Sequence, residues 1–171
     1  KGMDILSEEF VSGTSIEKAL TKFDSPNTPC SFDMLGEAAR TKSDVDFFFA
    51  SYENAIRCVG EKNALLSKSF HEISIKLSAI HPRYEPLKKE RVMGELYERV
   101  LELSHQAANQ GIALTIDAEE QDRLELSLLL IERLAKEKAL SEWNGLGLAV
   151  QAYGKRSSNI INFIDKFFFF D

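Results

Sequence analysis

Four polar residues combine chemical capacity with regular spacing: Asp33, Lys76, Asp117 and Gln151, set 43, 41 and 34 residues apart. Each lies in a short run that alternates apolar with small or polar side chains. In "EISIKLSAIHPRYE" (residues 72–85), Ile73, Ile75, Leu77 and Ala79 share one face, and Ser74, Lys76 and Ser78 share the other. A lysine on a solvent face is ordinary. One that points into a closed interior needs an anionic partner, and Asp117 on the same face of an adjacent strand would supply it. Desolvated without that partner, Lys76 would have a depressed pKa and the chemistry of a Schiff-base lysine. A structural network of inward polar groups is the plain alternative for the whole set.

The elements that must position these residues are four strand-like runs: "CSFDML" (30–35), "ISIKLSA" (73–79), "IALTIDA" (112–118) and "GLGLAVQAY" (145–153). Segments of helical period separate them. Val45, Phe48, Tyr52, Ala55 and Val59 form a stripe in 44–60, with Gly60 as a C-terminal stop. Val92, Leu96, Val100, Leu103 and Ala107 do so in 87–110, and Leu124, Leu128, Ile131 and Leu134 in 120–138. The segment 157–170 carries Ile160, Ile161, Ile164, Phe167 and Phe168.

Strand and helix alternate four times, which predicts parallel strands with crossover helices. A doubly wound sheet buries both faces of its strands, which then read as continuously apolar. Here Ile112, Leu114 and Ile116 oppose Ala113, Thr115 and Asp117, and Leu146, Leu148 and Val150 oppose Gly145, Gly147, Ala149 and Gln151. One apolar and one polar face per strand favours a partial (β/α)8 TIM-like barrel of about four βα units over residues 29–171. Residues 1–28 read as a short helical segment and linker, with Thr14 and Glu17 in capping-box spacing. A full barrel usually needs about 250 residues. The expectation is therefore half a barrel, either cut from a longer protein or dimerising through its open face. The terminal "KFFFFD" adds to this, because four consecutive phenylalanines cannot share one helix face.

Barrel sites form at the C-terminal ends of the strands, from inward side chains and the loops that follow. Asp33 comes late in the first run, Lys76 lies within the second, Asp117 comes at the end of the third and Gln151 near the end of the fourth, all on the non-apolar face. The acids Glu119, Glu120 and Asp122 of "DAEEQDR" read instead as a solvated first helical turn. His71, His81 and His105 lack metal-ligand spacing, so no metal is expected. No GxGxxG or Walker sequence occurs at a helix start. The chain has 171 residues, 44% of them hydrophobic and 28% charged, with a formal charge of -6. Without a basic stripe, this excludes a general nucleic-acid binder. With no run of eighteen apolar residues and no signal peptide, a soluble cytoplasmic protein is expected. Cys30 and Cys58 read as reduced thiols.

"SFDMLGEAART", "ISIKLSAIHPRYE", "IDAEEQDRLELSLLLIERL" and "WNGLGLAVQAYGKR" resemble successive segments of the proline dehydrogenase domain of bacterial proline utilization A flavoenzymes. The likeness runs through most of residues 9–166, in the family's order, and includes "FVSGTSIEKAL". It implies an FAD-containing barrel that oxidises L-proline to 1-pyrroline-5-carboxylate. Hydride passes to the flavin, which a membrane quinone reoxidises, so the parent enzyme would sit peripherally at the inner membrane. By motif, Lys76 would lie at the proline and flavin site, Asp117 would frame it, and Gln151 would hydrogen-bond the isoalloxazine. Glu37 in "DMLGEAA" resembles a position that pairs with a substrate-binding arginine to gate the site, and Asp33 would join that network.

The sequence also departs from the family. "GEKNALLSKSFHE" and "FDSPNTPCSF" differ from its pattern, and Gly154 replaces a larger polar residue. The later strands that hold the flavin diphosphate and the proline carboxylate are not in this sequence. An isolated 171-residue chain is thus expected to bind FAD weakly or not at all and not to turn over. A non-catalytic, self-associating half barrel is the alternative.

Overall fold

The structure, a computed structural model, describes residues 11–23, 28–66 and 70–168, with side chains as far as 166. The terminal phenylalanine run therefore lies largely outside the described residues. Four strands, β1 (Ser31–Asp33), β2 (Glu72–Ile75), β3 (Leu114–Ile116) and β4 (Leu146–Leu148), form one sheet whose spatial order is their chain order. Every neighbouring pair is parallel, with Ile73 level with both Phe32 and Leu114, and Leu114 level with Leu146. Right-handed crossovers that advance without reversing direction leave all their helices on one face. A doubly wound sheet would reverse at a switch point. The architecture is that of four consecutive units of a TIM-like barrel, as the alternation of apolar and polar faces predicts.

Phe32, Ile73, Ile75, Leu114 and Ile116 are buried beneath the helices, whereas Ser74, Thr115 and Gly147 face the other way and are only half-buried. The strands are shorter than their sequence patterns suggest. β2 ends at Ile75, and Leu77–Ala79 is a 3-10 turn rather than strand. Gly147 keeps the polar face close-packed, because a Cβ there would come within 2.6 Å of the Thr115 hydroxyl.

The outer layer consists of α1 (Ile16–Lys22), α2 (Lys42–Leu65), α3 (Lys89–Arg91), α4 (Tyr97–Asn109), α5 (Leu124–Ala135) and α6 (Ser157–Phe168). A π-turn, Val92–Leu96, joins α3 to α4. The Arg133 guanidinium donates to the Met93 carbonyl of that turn at 2.6 Å and stacks 3.4 Å from the Tyr97 ring centre. A π-turn interrupts the regular backbone ladder, and Arg133 adds a side-chain donor to one of its carbonyls. The stripe of Val92, Leu96, Val100, Leu103 and Ala107 is fully buried, as its periodicity requires.

Three local expectations fail for identifiable reasons. Gly60 does not stop α2. The helix runs five residues further, and Gly60 instead admits Gln110, whose side chain would lie 2.5 Å from an added Cβ. Thr14 and Glu17 form no capping box; Ser15 is the N-cap, and Glu17 reaches across to Asn54 of α2 at 3.1 Å. A capping box does exist at Thr41 and Asp44, opening α2. In α5 the buried face is Leu126, Leu130, Ile131 and Leu134, while Leu124 and Leu128 are half-buried, so the apolar stripe is rotated from the one periodicity selects.

Leu103→Ala, at a fully buried position, is expected to destabilise the fold by about 2–5 kcal/mol through lost transfer energy and a residual cavity. Leu87→Ala, at a position 92% exposed, should change stability by less than about 0.5 kcal/mol. Urea denaturation midpoints of the two variants test the contrast.

Candidate functional site

The site begins where β2 leaves the sheet. Asp117 N–H still donates to the Ile75 carbonyl at 2.9 Å, so Lys76 and Asp117 are the first residues beyond their paired strands and stand level. The Lys76 N–H turns away from the ladder and donates to the Tyr52 hydroxyl of α2 at 3.0 Å. Tyr52 is buried, and its ring comes from the stripe that packs α2 on the sheet. One core tyrosine thus both anchors the helix and ends the strand.

The Lys76 side chain points to the polar face, where Nζ lies 2.5 Å from Asp33 Oδ2 and 2.8 Å from Asp117 Oδ2. The register explains this convergence. Partner positions differ by 41 residues from β1 to β2 (72 − 31), by 41 from β2 to β3 (114 − 73) and by 32 from β3 to β4 (146 − 114). Against these offsets the sequence spacings of 43, 41 and 34 set Asp33 two residues below the level of Lys76 and Gln151 two residues above that of Asp117. Shifts of two preserve the face, so all four residues stay on the inner side of the sheet.

Lys76 is 16% exposed. Burial pushes its pKa down, but the bonds to Asp117 and Asp33 outweigh that, and the ammonium is held above the ordinary lysine range. Held by two carboxylates, the ammonium stays charged at neutral pH, a state opposite to the neutral amine that Schiff-base chemistry needs. Two of its three N–H donors are engaged by the aspartates and one remains for a ligand.

Glu119 corrects another expectation. The helix starts at Leu124, so Glu119 belongs to the loop after β3 and not to a solvated helical turn. Its side chain is only 10% exposed. Oε1 accepts the Ser78 N–H at 3.0 Å, and Oε2 lies 3.3 Å from the Arg123 guanidinium. The missed signal was parity: Thr115, Asp117 and Glu119 succeed one another at intervals of two. Arg123 also pairs with Glu120 at 2.9 Å and stacks 5.4 Å from the Tyr84 ring centre.

Gln151 lies three residues past β4. Its Nε2 donates to the Glu119 carbonyl at 3.3 Å, and its Oε1 accepts from Gln121 Nε2 at 2.7 Å. Glu37 is exposed on the loop after β1. A cavity of about 290 Å³ lies between these groups, lined by Glu37, Lys76, Ser78, Glu119, Glu120 and Gln151 among others. The structure thus joins Lys76, Asp33 and Asp117 directly, and brings Gln151 and Glu37 to the same cavity without direct contact to the lysine. Its walls are rich in carboxylates around one half-buried cation.

Two of the three histidines serve the backbone: His71 Nδ1 accepts the Cys30 N–H at 3.1 Å, and His81 Nδ1 accepts that of Arg83 at 3.2 Å. Both cysteines are free thiols, as expected. No described helix is long and apolar enough to cross a membrane.

A family model described as "Proline dehydrogenase" matches residues 16–167. The chain is 44% identical, over 96% of its length, to the bifunctional protein PutA of Salmonella typhimurium, and 44% identical, over 95%, to that of Rhizobium meliloti. It spans 13% of the length of each of these relatives. Among solved structures, a mutant of Bradyrhizobium japonicum proline utilization A superposes on 90% of the chain with a TM-score of 0.77 and 44% identity, and the chain covers 16% of it. The Bdellovibrio bacteriovorus protein, inactivated by N-propargylglycine, superposes on 94% with a TM-score of 0.84 at 18% identity, a likeness of fold alone; the chain covers 18% of it.

Burial raises the Tyr52 pKa to about 12. The folded state then holds a proton that the unfolded chain releases near pH 10. Stability contributed by Tyr52 is complete below about pH 10 and lost between about 10 and 12. Tyr52→Phe should flatten this alkaline loss in urea titrations. It should also lower stability at neutral pH by about 1–3 kcal/mol, since the buried Lys76 N–H loses its acceptor.

Proposed function

Because the chain belongs to the proline dehydrogenase family, we propose that its Lys76 cluster serves the oxidation of L-proline to 1-pyrroline-5-carboxylate, with FAD in the site and a quinone as the final acceptor. The observation that carries this reading is the ammonium of Lys76, locked by two aspartates at the mouths of three adjacent strands and facing a cavity. Held as an ammonium by the two aspartates, Lys76 is assigned the role of donor and fixed positive charge rather than base. Its remaining N–H and fixed charge suit an anionic or electron-rich group, and preorganisation by Asp33 and Asp117 spares reorganisation during reaction. Asp117 frames the site from β3, and Asp33 sets the lysine's depth from β1.

The residues present fit a flavin. A fixed cation and the Gln151 amide donor share one open inner face, and such donors stabilise negative charge on a reduced isoalloxazine ring. The flavin, when bound, supplies two-electron acceptance. Glu37, on the rim, is assigned to gating of the cavity. The protein's place is the cytoplasm, peripheral to the membrane that holds the quinone.

Lys76→Met tests the assignment in the full-length protein that carries these residues. Proline–quinone turnover should fall about 10²–10³-fold in kcat/KM, the range for loss of one preorganised electrostatic group. Asp117→Asn should fall less, because Asp33 still holds the ammonium. Turnover that survives Lys76→Met would remove the lysine from the mechanism, and a purified protein without flavin absorbance would remove FAD.

A further inference from the structure

The loop after β1 contains a backbone feature that the Lys76 cluster does not account for. Ala38 has a φ of 52°, in the left-handed region that a side chain with a Cβ disfavours. Such a conformation persists only where its surroundings over-determine it. Ser78 supplies those surroundings. Its hydroxyl accepts the Ala38 N–H at 3.0 Å, and its carbonyl accepts the Ala39 N–H at 2.9 Å. Its own N–H donates to Glu119 Oε1 at 3.0 Å. Ser78 is 3% exposed, so little water competes for these bonds.

Three chain segments therefore meet on one serine: the loop after β1, the turn after β2 and the loop after β3. Glu37 immediately precedes Ala38 and stands on the cavity rim, while Ser78 and Glu119 line the same cavity. The Lys76 ammonium has separate anchors in Asp33 and Asp117. Loosening Ser78 would thus move the rim relative to a cation that stays in place.

We propose that Ser78, held by Glu119, is a positioning residue that fixes the Glu37 loop at a set distance from Lys76 and so shapes the cavity for its substrate. The proposal rests on the proline-oxidising reading above. It predicts that substrate capture depends on Ser78 more strongly than the chemical step does.

The test compares Ser78→Ala with wild type in the full-length flavin-loaded protein, by hydrogen–deuterium exchange at Ala38 and Ala39 and by steady-state kinetics with proline. Exchange at Ala38 should quicken about tenfold or more, as expected when a local hydrogen bond is lost. KM for proline should rise about tenfold, the effect of a single hydrogen-bond energy, with a smaller fall in kcat. Ser78→Thr, which keeps the hydroxyl, should restore both. Glu119→Gln keeps an acceptor oxygen and should give intermediate values; it carries both readouts if Ser78→Ala does not fold. Unchanged exchange, or faster exchange with KM unaltered, would overturn the proposal. So would a fall confined to kcat. Exchange is measured without proline, so a protein that did not oxidise proline would refute the functional reading while the Ser78 tie was still decided.

Discussion

The ion cluster of Lys76 with Asp33 and Asp117 is the constraint around which the inner face is built. A mostly buried ammonium is costly unless its charge and its donors are both answered. One aspartate would neutralise it; two also fix its direction. Meeting that need requires β1, β2 and β3 to be adjacent, parallel and held within a two-residue stagger, which the observed register provides. The cluster sits where β2 and β3 end: at Lys76 the backbone N–H leaves the ladder for the Tyr52 hydroxyl, and the side chains of Lys76 and Asp117 meet beyond the paired residues.

The apolar side of the same sheet supplies the rigidity that such convergence needs. Ile73, Ile75, Leu114 and Ile116 are buried under α2, α4 and α5, and the α4 stripe shows no exposed member. Tyr52 connects the two sides: its ring belongs to the helix–sheet core, and its hydroxyl takes the Lys76 N–H. Packing energy is in this way coupled to the placement of a charge, so disruption of the core would be felt at the site.

Beyond the ion cluster, the loops are cross-tied rather than loose. Ser78, Glu119 and Gln151 join the segments after four strands through bonds to backbone groups, and Arg123 braces the Glu119 carboxylate with its side chain. Backbone acceptors and donors are insensitive to the identity of the residue that presents them. Ser78, Glu119 and Gln151 also line the cavity, so its shape follows from the ties that hold the loops, as in a barrel whose sites are built from loops.

The sequence by itself determined the repeating strand–helix order, the apolar stripes of α2 and α4, the barrel rather than doubly wound arrangement, and the pairing of Lys76 with Asp117. These follow from periodicity and from the high penalty on an unpaired buried charge, both local or nearly local rules. Asp33 was legible as a member of the constellation but not as a direct partner of the lysine. Strand ends, the true start of α5 and the continuation of α2 through Gly60 were not legible. The end of β2 and the course of α2 depend on residues far along the chain: Tyr52 takes the Lys76 N–H, and Gln110 packs where Gly60 has no side chain. Glu119 was misjudged for the same reason, since its partner Ser78 lies 41 residues away. Tertiary structure alone decided which polar groups are satisfied by distant backbone, because a hydrogen bond across strands leaves no period in the sequence.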